Sequence, residues 1–336
     1  MASTESERLN IRKVADLAGV SPMTVSRVLN NRPHIKDATR RRVLEVIEEQ
    51  GFRPNQAARA LATRRNSRIG VIVESAVEFG PTSIVRAVEN ASRTAGFAVS
   101  TLALHGGDEL TPQDAVDTLI AQGVDALCIV APRSSSISAL RETSIDVPVL
   151  VVTPESDPSF LAVAIDQRAG ALLAVDHLVE LGHRDILHLA GPLDWLDARA
   201  RERAFHDRAL ALGIREPRVV VGDWTGDFAY DVARGMREMP QVTAVFAAND
   251  DMAMGLIHGL HDLGIRVPQD LSVVGFDDVP VARHFIPPLT TVRQDFRALG
   301  SSVLDMLRAA IDDLELPHAT LIPPELIVRA STAPPR

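Results

Sequence analysis

Nine short segments rich in β-branched and aliphatic residues constrain the fold of this chain more than any other feature. They are RIGVIV, FAVSTLAL, DALCIV, VPVLVV, LAVAI, RDILHLAG, RVVVGDW, AVFAAND and LSVVGFDD, all between residues 68 and 278. Helical patterns alternate with them along the chain. Strands that are apolar almost throughout and alternate with helices are typical of parallel sheets covered by helices on both faces. We therefore expect two doubly wound parallel-sheet lobes of the α/β class.

Charge is distributed unevenly along the 336 residues. Residues 1–66 carry 13 Lys and Arg against 7 Asp and Glu, a net charge of +6. The remaining residues carry 22 against 37, a net charge of −15. The overall charge of −9 therefore averages a basic N-terminal segment and an acidic body. Asymmetry of this kind favours a segment that binds nucleic acid.

Two short helical patterns joined by a turn occupy residues 11–29 of the basic segment. Gly19 ends the first pattern, because glycine readily supplies the positive φ of a tight turn. Ser21 can cap the second helix, and Pro22 suits its first position. A third helix is expected from a possible Asp37 cap to Gly51. Two helices joined by a turn containing glycine predict an all-α helix-turn-helix head.

The exposed positions of this head favour DNA binding over a generic three-helix domain. The outward side chains of the second helix suit contact with base edges; they are Met23, Thr24, Ser26 and Arg27. Basic flanking residues suit phosphate contacts; they are Arg32, Lys36, Arg40, Arg41 and Arg42.

The segment PNQAARALATRR, residues 54–65, contains good helix formers but is too short to be a stable helix alone. It is either a plain linker or a hinge that folds on DNA. In the second case Leu61 would enter the minor groove as a wedge.

Polar and aromatic residues follow many of the expected strands at their carboxyl ends, where ligands bind in open α/β sheets. They are Glu74, Thr153, Asp194, Trp195, Arg199, Trp224, Asn249, Asp250, Asp277 and Asp278. Carboxylates, an amide, a guanidinium and flat rings suit a hydroxyl-rich ligand such as a sugar. The alternative is that the Asp and Asn residues cap the helices that follow.

Motifs for catalysis and for cofactors are missing from the sequence. It has no G-x-x-x-x-G-K-S/T, no G-x-G-x-x-G after a strand and no G-x-S-x-G, so we expect neither an enzyme nor a bound cofactor. Cys128 is the single cysteine and is expected to be a small buried apolar residue. The histidines at 177, 183, 188, 258 and 261 are expected to be surface or capping residues, not metal ligands.

The sequence also contains no apolar run long enough to span a bilayer, and its N-terminus has no secretory signal pattern. These features predict a cytoplasmic protein that does not bind membranes.

Several long segments resemble the lactose-repressor (LacI/GalR) family of bacterial transcription regulators. They are VADLAGVSPMTVSRVLNN, GFRPNQAARALA, GHRDILHLAGP, AANDDMAMG and IPPLTTVRQDFRALG. The resemblance runs from about Ile11 to about Thr332. It implies that the second head helix enters the major groove and that Leu61 opens the centre of a pseudo-palindromic operator. It also implies that the two lobes are of the periplasmic-binding-protein type.

The resemblance also implies which residues bind DNA and effector. Pro22, Met23 and Arg27 would read bases. The full DNA-binding set is Ser21, Pro22, Met23, Thr24, Ser26, Arg27, Asn30, Asn55, Ala58 and Leu61. The effector-binding set is Glu74, Thr153, Trp195, Arg199, Trp224, Asn249, Asp277, Gln294 and Phe296. The chain departs from the family pattern at Glu74, Thr153 and Trp195, so the identity of the sugar does not carry over.

These features predict a homodimeric transcriptional repressor whose affinity for double-stranded operator DNA is controlled by a mono- or disaccharide inducer. The alternatives are a stand-alone sugar-binding protein, which would need a signal peptide and no basic head, and a corepressor-dependent regulator. The chain ends without a leucine heptad, which favours a dimer over a tetramer. Helices around 82–95 and 111–122 are candidate dimer surfaces.

The expected domains follow from the same features. They are a head at 1–53, a hinge at 54–66, an N-terminal lobe at 67–163 with 293–322, and a C-terminal lobe at 164–292 with 323–336.

Overall fold

The polypeptide divides into two units, residues 1–66 and residues 67–336, in a computed structural model. The structure describes residues 10–29, 35–52, 65–74, 77–104, 111–131, 133–154, 159–214, 217–239, 241–316 and 321–336. The expected hinge helix lies outside these residues.

Three short helices form the described part of the N-terminal unit: α1 (Ile11–Ala18), α2 (Pro22–Leu29) and α3 (Asp37–Glu49). Helix α1 ends at Gly19, whose φ is +60°. The Oγ atom of Ser21 accepts the backbone N–H of Thr24 across 3.1 Å and so caps α2, as the sequence predicted. The Asp37 cap was wrong: Lys36 is the cap residue, and Asp37 lies in the first turn of α3.

The three helices pack around a small apolar core. Its buried residues are Val14, Ala15, Ala18, Val25, Val28, Val43 and Phe52. Each helix contributes at least one buried side chain to this core, so the outward face of α2 is left to solvent.

The second unit contains twelve strands in its described residues. The strands are β1 (Arg68–Glu74), β2 (Ala98–Leu104), β3 (Ala126–Val130), β4 (Val149–Val152), β5 (Leu161–Ile165), β6 (Ile186–Ala190), β7 (Arg218–Val221), β8 (Ala244–Ala247), β9 (Ser272–Asp277), β10 (Thr290–Arg293), β11 (Leu321–Ile322) and β12 (Glu325–Ile327). The nine segments predicted from the sequence are β1 to β9. The last three strands, β10, β11 and β12, were not among the predicted segments.

Eight helices cover these strands in the described part of the unit. They are α4 (Phe79–Thr94), α5 (Pro112–Ala121), α6 (Ser134–Arg141), α7 (Gln167–Glu180), α8 (Leu196–Ala211), α9 (Gly226–Gly235), α10 (Asp250–Asp262) and α11 (Phe296–Ile311). Two short 3₁₀ helices follow at Met236–Glu238 and Ala282–His284.

The strands form two six-stranded sheets, which confirms the predicted fold class. The first has the order β11-β5-β4-β3-β1-β2 and the second β12-β10-β9-β8-β6-β7. Every described strand pair is parallel except β10 with β12. We call the first sheet with α4, α5, α6 and α11 the N-lobe, and the second sheet with α7 to α10 the C-lobe.

The chain passes between the lobes three times, at Asp166, at residues 294–295 and at residues 323–324. Helix α11 packs on α4 after the second passage, so a late segment completes the N-lobe. Because the strands of both sheets are parallel, their carboxyl ends gather polar loop residues where the lobes face each other.

Buried apolar residues of the strands form the cores of both lobes. Cys128 is fully buried in β3, as predicted, and burial raises the pKa of its thiol to about 12. The histidine expectation was wrong for two residues, because His183 and His188 are buried. The ring nitrogens of His183 bond to Thr243 and Ser272, and burial lowers the pKa of His188 to about 4.

Candidate functional site

A cleft lies between the two lobes. Its wall contains polar residues from the ends of strands and from the starts of helices, together with aromatic side chains. The lining residues include Thr153, Gln167, Trp195, Asp197, Arg201, Trp224, Asn249, Asp277, Gln294 and Phe296. Concave, mostly apolar surfaces with a few converging polar groups are typical of small-molecule sites.

The structure brings seven of the nine predicted effector residues to this cleft. They are Thr153, Trp195, Trp224, Asn249, Asp277, Gln294 and Phe296. The other two, Glu74 and Arg199, are absent from its wall. Glu74 ends β1 but turns to the residues that follow β3, where it accepts hydrogen bonds from Arg133 and Ser136.

The guanidinium in the cleft belongs to Arg201, not to Arg199. Both residues lie on α8, but two positions along a helix turn the side chain by about 200°. Arg199 instead donates from Nη2 to Oγ of Ser134 across 2.8 Å. Arg201, which lies four residues after Asp197 and shares its helix face, is thus a further candidate, while the effector role of Arg199 stays a prediction.

Arg201 is only 4% exposed and is held from several directions. Its Nε donates to Oε1 of Gln167 across 2.9 Å, and its Nη1 donates to the carbonyl oxygen of Ala248. Its guanidinium carbon lies 3.7 Å from the centroid of the Phe276 ring. Burial lowers the pKa of the guanidinium, and the charge of Asp277 acts in the opposite direction. The cleft thus contains a preorganised, rigid donor group.

A hydrogen-bond chain through Gln167 and Gln294 joins Arg201 on α8 to Asp277 at the end of β9. Nε2 of Gln167 donates to Oε1 of Gln294 across 3.0 Å, and Nε2 of Gln294 donates to Oδ1 of Asp277 across 2.6 Å. Burial raises the pKa of Asp277 to about 7, against the opposing effects of Arg201 and the Gln294 hydrogen bond. Burial also raises the pKa of Asp197.

The sequence interpretation missed three members of this polar group, namely Gln167, Asp197 and Arg201. The i, i+4 spacing of Asp197 and Arg201 was a signal that could have found two of them. Gln167 begins α7 directly after the first passage between the lobes, and the sequence carries no comparable signal for it.

Two tryptophans form an aromatic corner in the cleft wall. The rings of Trp195 and Trp224 meet edge to face, with centroids 5.5 Å apart. Trp224 has a φ of +72°, and its ring packs so closely on Gly191 that a Cβ atom there would lie 2.3 Å from Cη2. Among the described residues, the indole N–H of Trp224 has no hydrogen-bond partner. It is therefore a donor that a ligand could satisfy.

Asn249 is a helix cap, one of the two alternatives that the sequence left open, and its effector role stays a prediction. Its Oδ1 accepts the N–H of Met252 and caps α10, and its Nδ2 donates to the carbonyl oxygen of Trp224. Asn249 also lines the cleft. Asp250 does not cap: its Oδ1 accepts from the hydroxyl of Thr291, and its Oδ2 accepts from the N–H of Val279.

The candidate DNA-binding residues of the head lie on one exposed surface of α2. Pro22, Met23 and Arg27 are exposed, and Met23 is 64% exposed although it is apolar. Ser21 is exposed, and Thr24 and Ser26 are half-buried. The other candidates, Asn30, Asn55, Ala58 and Leu61, lie outside the described residues.

Neither a metal site nor a membrane span is found in the described ranges. No three His, Cys, Asp or Glu residues in these ranges are arranged to hold an ion. No described helix combines the length and the apolar character that crossing a bilayer requires.

Two parallel-sheet lobes, three passages of the chain and a cleft at the strand ends define a periplasmic-binding-protein-like body. Residues 175–332 match the sequence profile described as periplasmic binding protein-like domain. Residues 10–55 match that of the bacterial regulatory proteins of the lacI family. The chain belongs to the lacI family of bacterial regulatory proteins.

The chain matches several transcriptional repressors along nearly its whole length. It is 33% identical to the lactose operon repressor of Escherichia coli strain K12, with 96% of this chain and 90% of the relative covered. It is 34% identical to the HTH-type transcriptional repressor PurR of Erwinia tasmaniensis, with 96% of each covered.

A solved structure supports the same assignment. The lac repressor dimer bound to operator and the anti-inducer ONPF matches with a TM-score of 0.80 and 32% identity, covering 97% of this chain and 99% of that chain.

Proposed function

We propose that this protein is a homodimeric repressor whose affinity for operator DNA is controlled by a small, neutral, hydroxyl-rich ligand, a sugar or sugar derivative that acts as inducer. Its relatives are DNA-binding repressors, which supports the DNA-binding part of the proposal. Acting on an operator would place the protein in the bacterial cytoplasm.

The observation that carries the ligand part is the combination of a hydrogen-bond chain and an aromatic corner in one cleft. Arg201, Asn249 and Asp277 offer donors and acceptors to hydroxyl groups, which prefer partners of both kinds. The rings of Trp195 and Trp224 offer apolar faces to the C–H side of a sugar ring.

Effector binding would be transmitted through the passages between the lobes to residues 54–66. In the DNA-bound state the two hinges of a dimer would be folded, with Leu61 at the operator centre. A ligand that changes the relation of the lobes would separate the hinges. A 100-fold loss of operator affinity requires a coupling free energy of only about 2.7 kcal/mol.

A second ligand class is a flat heterocycle such as a purine, acting as corepressor. The aromatic corner favours it, because an indole face stacks on any planar ring. A sugar inducer would weaken operator binding, whereas a corepressor would strengthen it.

The test begins with selection of bound sequences from a random DNA pool by the purified protein, followed by a thermal-shift screen of mono- and disaccharides and of purine bases. A ligand at 100 times its Kd is expected to stabilise the protein by about 2.7 kcal/mol. Titrating that ligand with and without the selected DNA then measures the coupling, which must be reciprocal. Equal ligand affinity in both titrations, or no enriched DNA sequence, would contradict the proposal.

A further inference from the structure

Arg133 joins carboxylates from both lobes at one edge of the cleft. It lies after β3 in the N-lobe, where its Nη1 donates to Oε1 of Glu74 across 3.0 Å. Its Nε donates to Oδ2 of Asp194 across 2.8 Å, and Asp194 belongs to the loop between β6 and α8 of the C-lobe. We call Arg133, Glu74 and Asp194 the Arg133 clamp.

The same guanidinium contacts a tryptophan of the cleft wall. Its carbon atom lies 4.9 Å from the ring centroid of Trp195, within the range of a cation–π interaction. The backbones of Arg133 and Trp195 also form an isolated antiparallel β-bridge. Trp195 is 6% exposed and lines the cleft, and Arg133 of the N-lobe contributes to the burial of its ring.

Neighbouring residues attach the same C-lobe loop to the N-lobe. Leu196 is buried in an apolar cluster whose other members, including Leu127 and Ile137, belong to the N-lobe. Arg199 donates to Ser134, the residue that follows Arg133. Asp194, Trp195 and Leu196 therefore each contact the opposite lobe through a different kind of interaction.

We propose that Arg133 is a positioning residue for the ligand cleft: by joining Glu74 and Asp194 it holds Trp195 in the cleft wall and ties this edge of the lobes together. The inference rests on the proposed cleft, but its test needs neither ligand nor DNA. A result against the clamp would therefore leave the proposed function intact.

A planar guanidinium suits this position better than an ammonium. Its separate N–H groups can serve two carboxylates at once while its face covers an aromatic ring. Lysine would keep the charge but lose the separate N–H groups of the guanidinium. The Arg133→Lys variant should therefore hold Trp195 in position only in part.

The chain has two tryptophans, and this makes the position of Trp195 measurable by fluorescence. In a Trp224→Phe background only Trp195 emits, and in a Trp195→Phe background only Trp224 emits. Acrylamide quenching of the full-length protein reports the accessibility of each ring.

Arg133→Ala is expected to raise the quenching constant of Trp195 about threefold and to shift its emission to longer wavelength, because an ion-pair network and a ring contact are both lost. The quenching constant of Trp224 should change much less. The side chain of Asp194 is 61% exposed, so Asp194→Asn is expected to keep the fold, and it should also raise the quenching constant of Trp195. Combining it with Arg133→Ala should add little, because both changes break one interaction.

Arg266→Ala is the matched control, because it breaks an exposed Arg–Asp pair with Asp270 elsewhere in the C-lobe. It should leave the quenching of both tryptophans unchanged, and thermal unfolding of each variant shows whether the fold is kept. Unchanged quenching of Trp195 in both Arg133→Ala and Asp194→Asn would overturn the proposal. If Arg266→Ala raised the quenching constant of Trp195 as much as Arg133→Ala does, the proposal would also be overturned.

Discussion

Gln294 donates a hydrogen bond to Asp277 across 2.6 Å, at the point where the chain leaves the C-lobe for the N-lobe. The bond links a candidate ligand-binding carboxylate to one of the three passages that connect the lobes. Any change in the charge of Asp277 therefore acts on both the cleft and the connection between the lobes.

Asp277 should make the free energy of unfolding decrease as the pH rises. Its pKa is raised from 3.8 to about 7, chiefly by burial, so the folded state binds a proton that the unfolded state releases between these values. The stabilising contribution is complete below pH 3.8 and is lost as pH rises through about 7, with an upper limit of about 4 kcal/mol.

The Asp277→Asn variant should lack this loss, and Asn tolerates the positive φ of this position as well as Asp does. Denaturant unfolding between pH 4 and pH 8, with exposed Asp305→Asn as control, measures the effect. Parallel pH profiles for the wild type and Asp277→Asn would contradict the assignment.

Arg201→Met should weaken the response to effector while leaving operator binding intact. A hydrogen bond to a charged group contributes about 1.5–3 kcal/mol, so ligand affinity should fall by roughly 10- to 150-fold. Isothermal titration with a ligand found by the thermal-shift screen measures the loss. Arg203→Met, on the exposed side of the same helix, is the control. If Arg199→Met removed the response and Arg201→Met did not, the assignment to Arg201 would be wrong.

Gly191→Ala should displace Trp224 from the cleft wall. The new Cβ would lie within 2.6 Å of three atoms of the indole ring, and overpacking of a buried site costs about 1–3 kcal/mol. Gly235→Ala is the matched control, because its Cβ would meet no atom within 4 Å and α9 accepts alanine. Denaturant unfolding and the emission of Trp224 in a Trp195→Phe background should distinguish the two. Equal stability of both variants would argue against this packing.

Arg27→Ala should weaken binding to the selected operator by about 1–3 kcal/mol and relax sequence preference at one base pair. Arg41→Ala, on the exposed surface of α3, should weaken all sequences alike and reduce the salt dependence by about one phosphate contact. Anisotropy titrations at several salt concentrations, on selected and scrambled DNA, separate the two effects. If Arg27→Ala lost affinity equally for selected and scrambled DNA, Arg27 would contact the DNA backbone and the prediction of a base contact would be wrong.

Local sequence patterns predicted those elements of secondary structure that depend on a single short segment. The nine apolar segments became β1 to β9, and Gly19 and Ser21 end and begin helices as predicted. These features depend on backbone preference and on burial of a strand from both faces, which are encoded within a few neighbouring residues.

The candidate site was less predictable, because its members come from segments distant in sequence. The strand-end rule found Asp277 and Trp224, yet it also included Glu74, which turns to Arg133. On α8 the rule selected Arg199 and missed Arg201, because the sequence does not show which side of that helix meets the cleft.

The sequence by itself therefore determined a helix-turn-helix head, two parallel-sheet lobes and the strand ends at which a ligand could bind. Only the tertiary structure decided that Arg201 enters the cleft, that Gln167 links it to Gln294, and that Arg133 reaches across to Asp194. The physical reason is that periodicity fixes the faces of a helix relative to each other, whereas packing against the rest of the protein fixes the direction in which each face points.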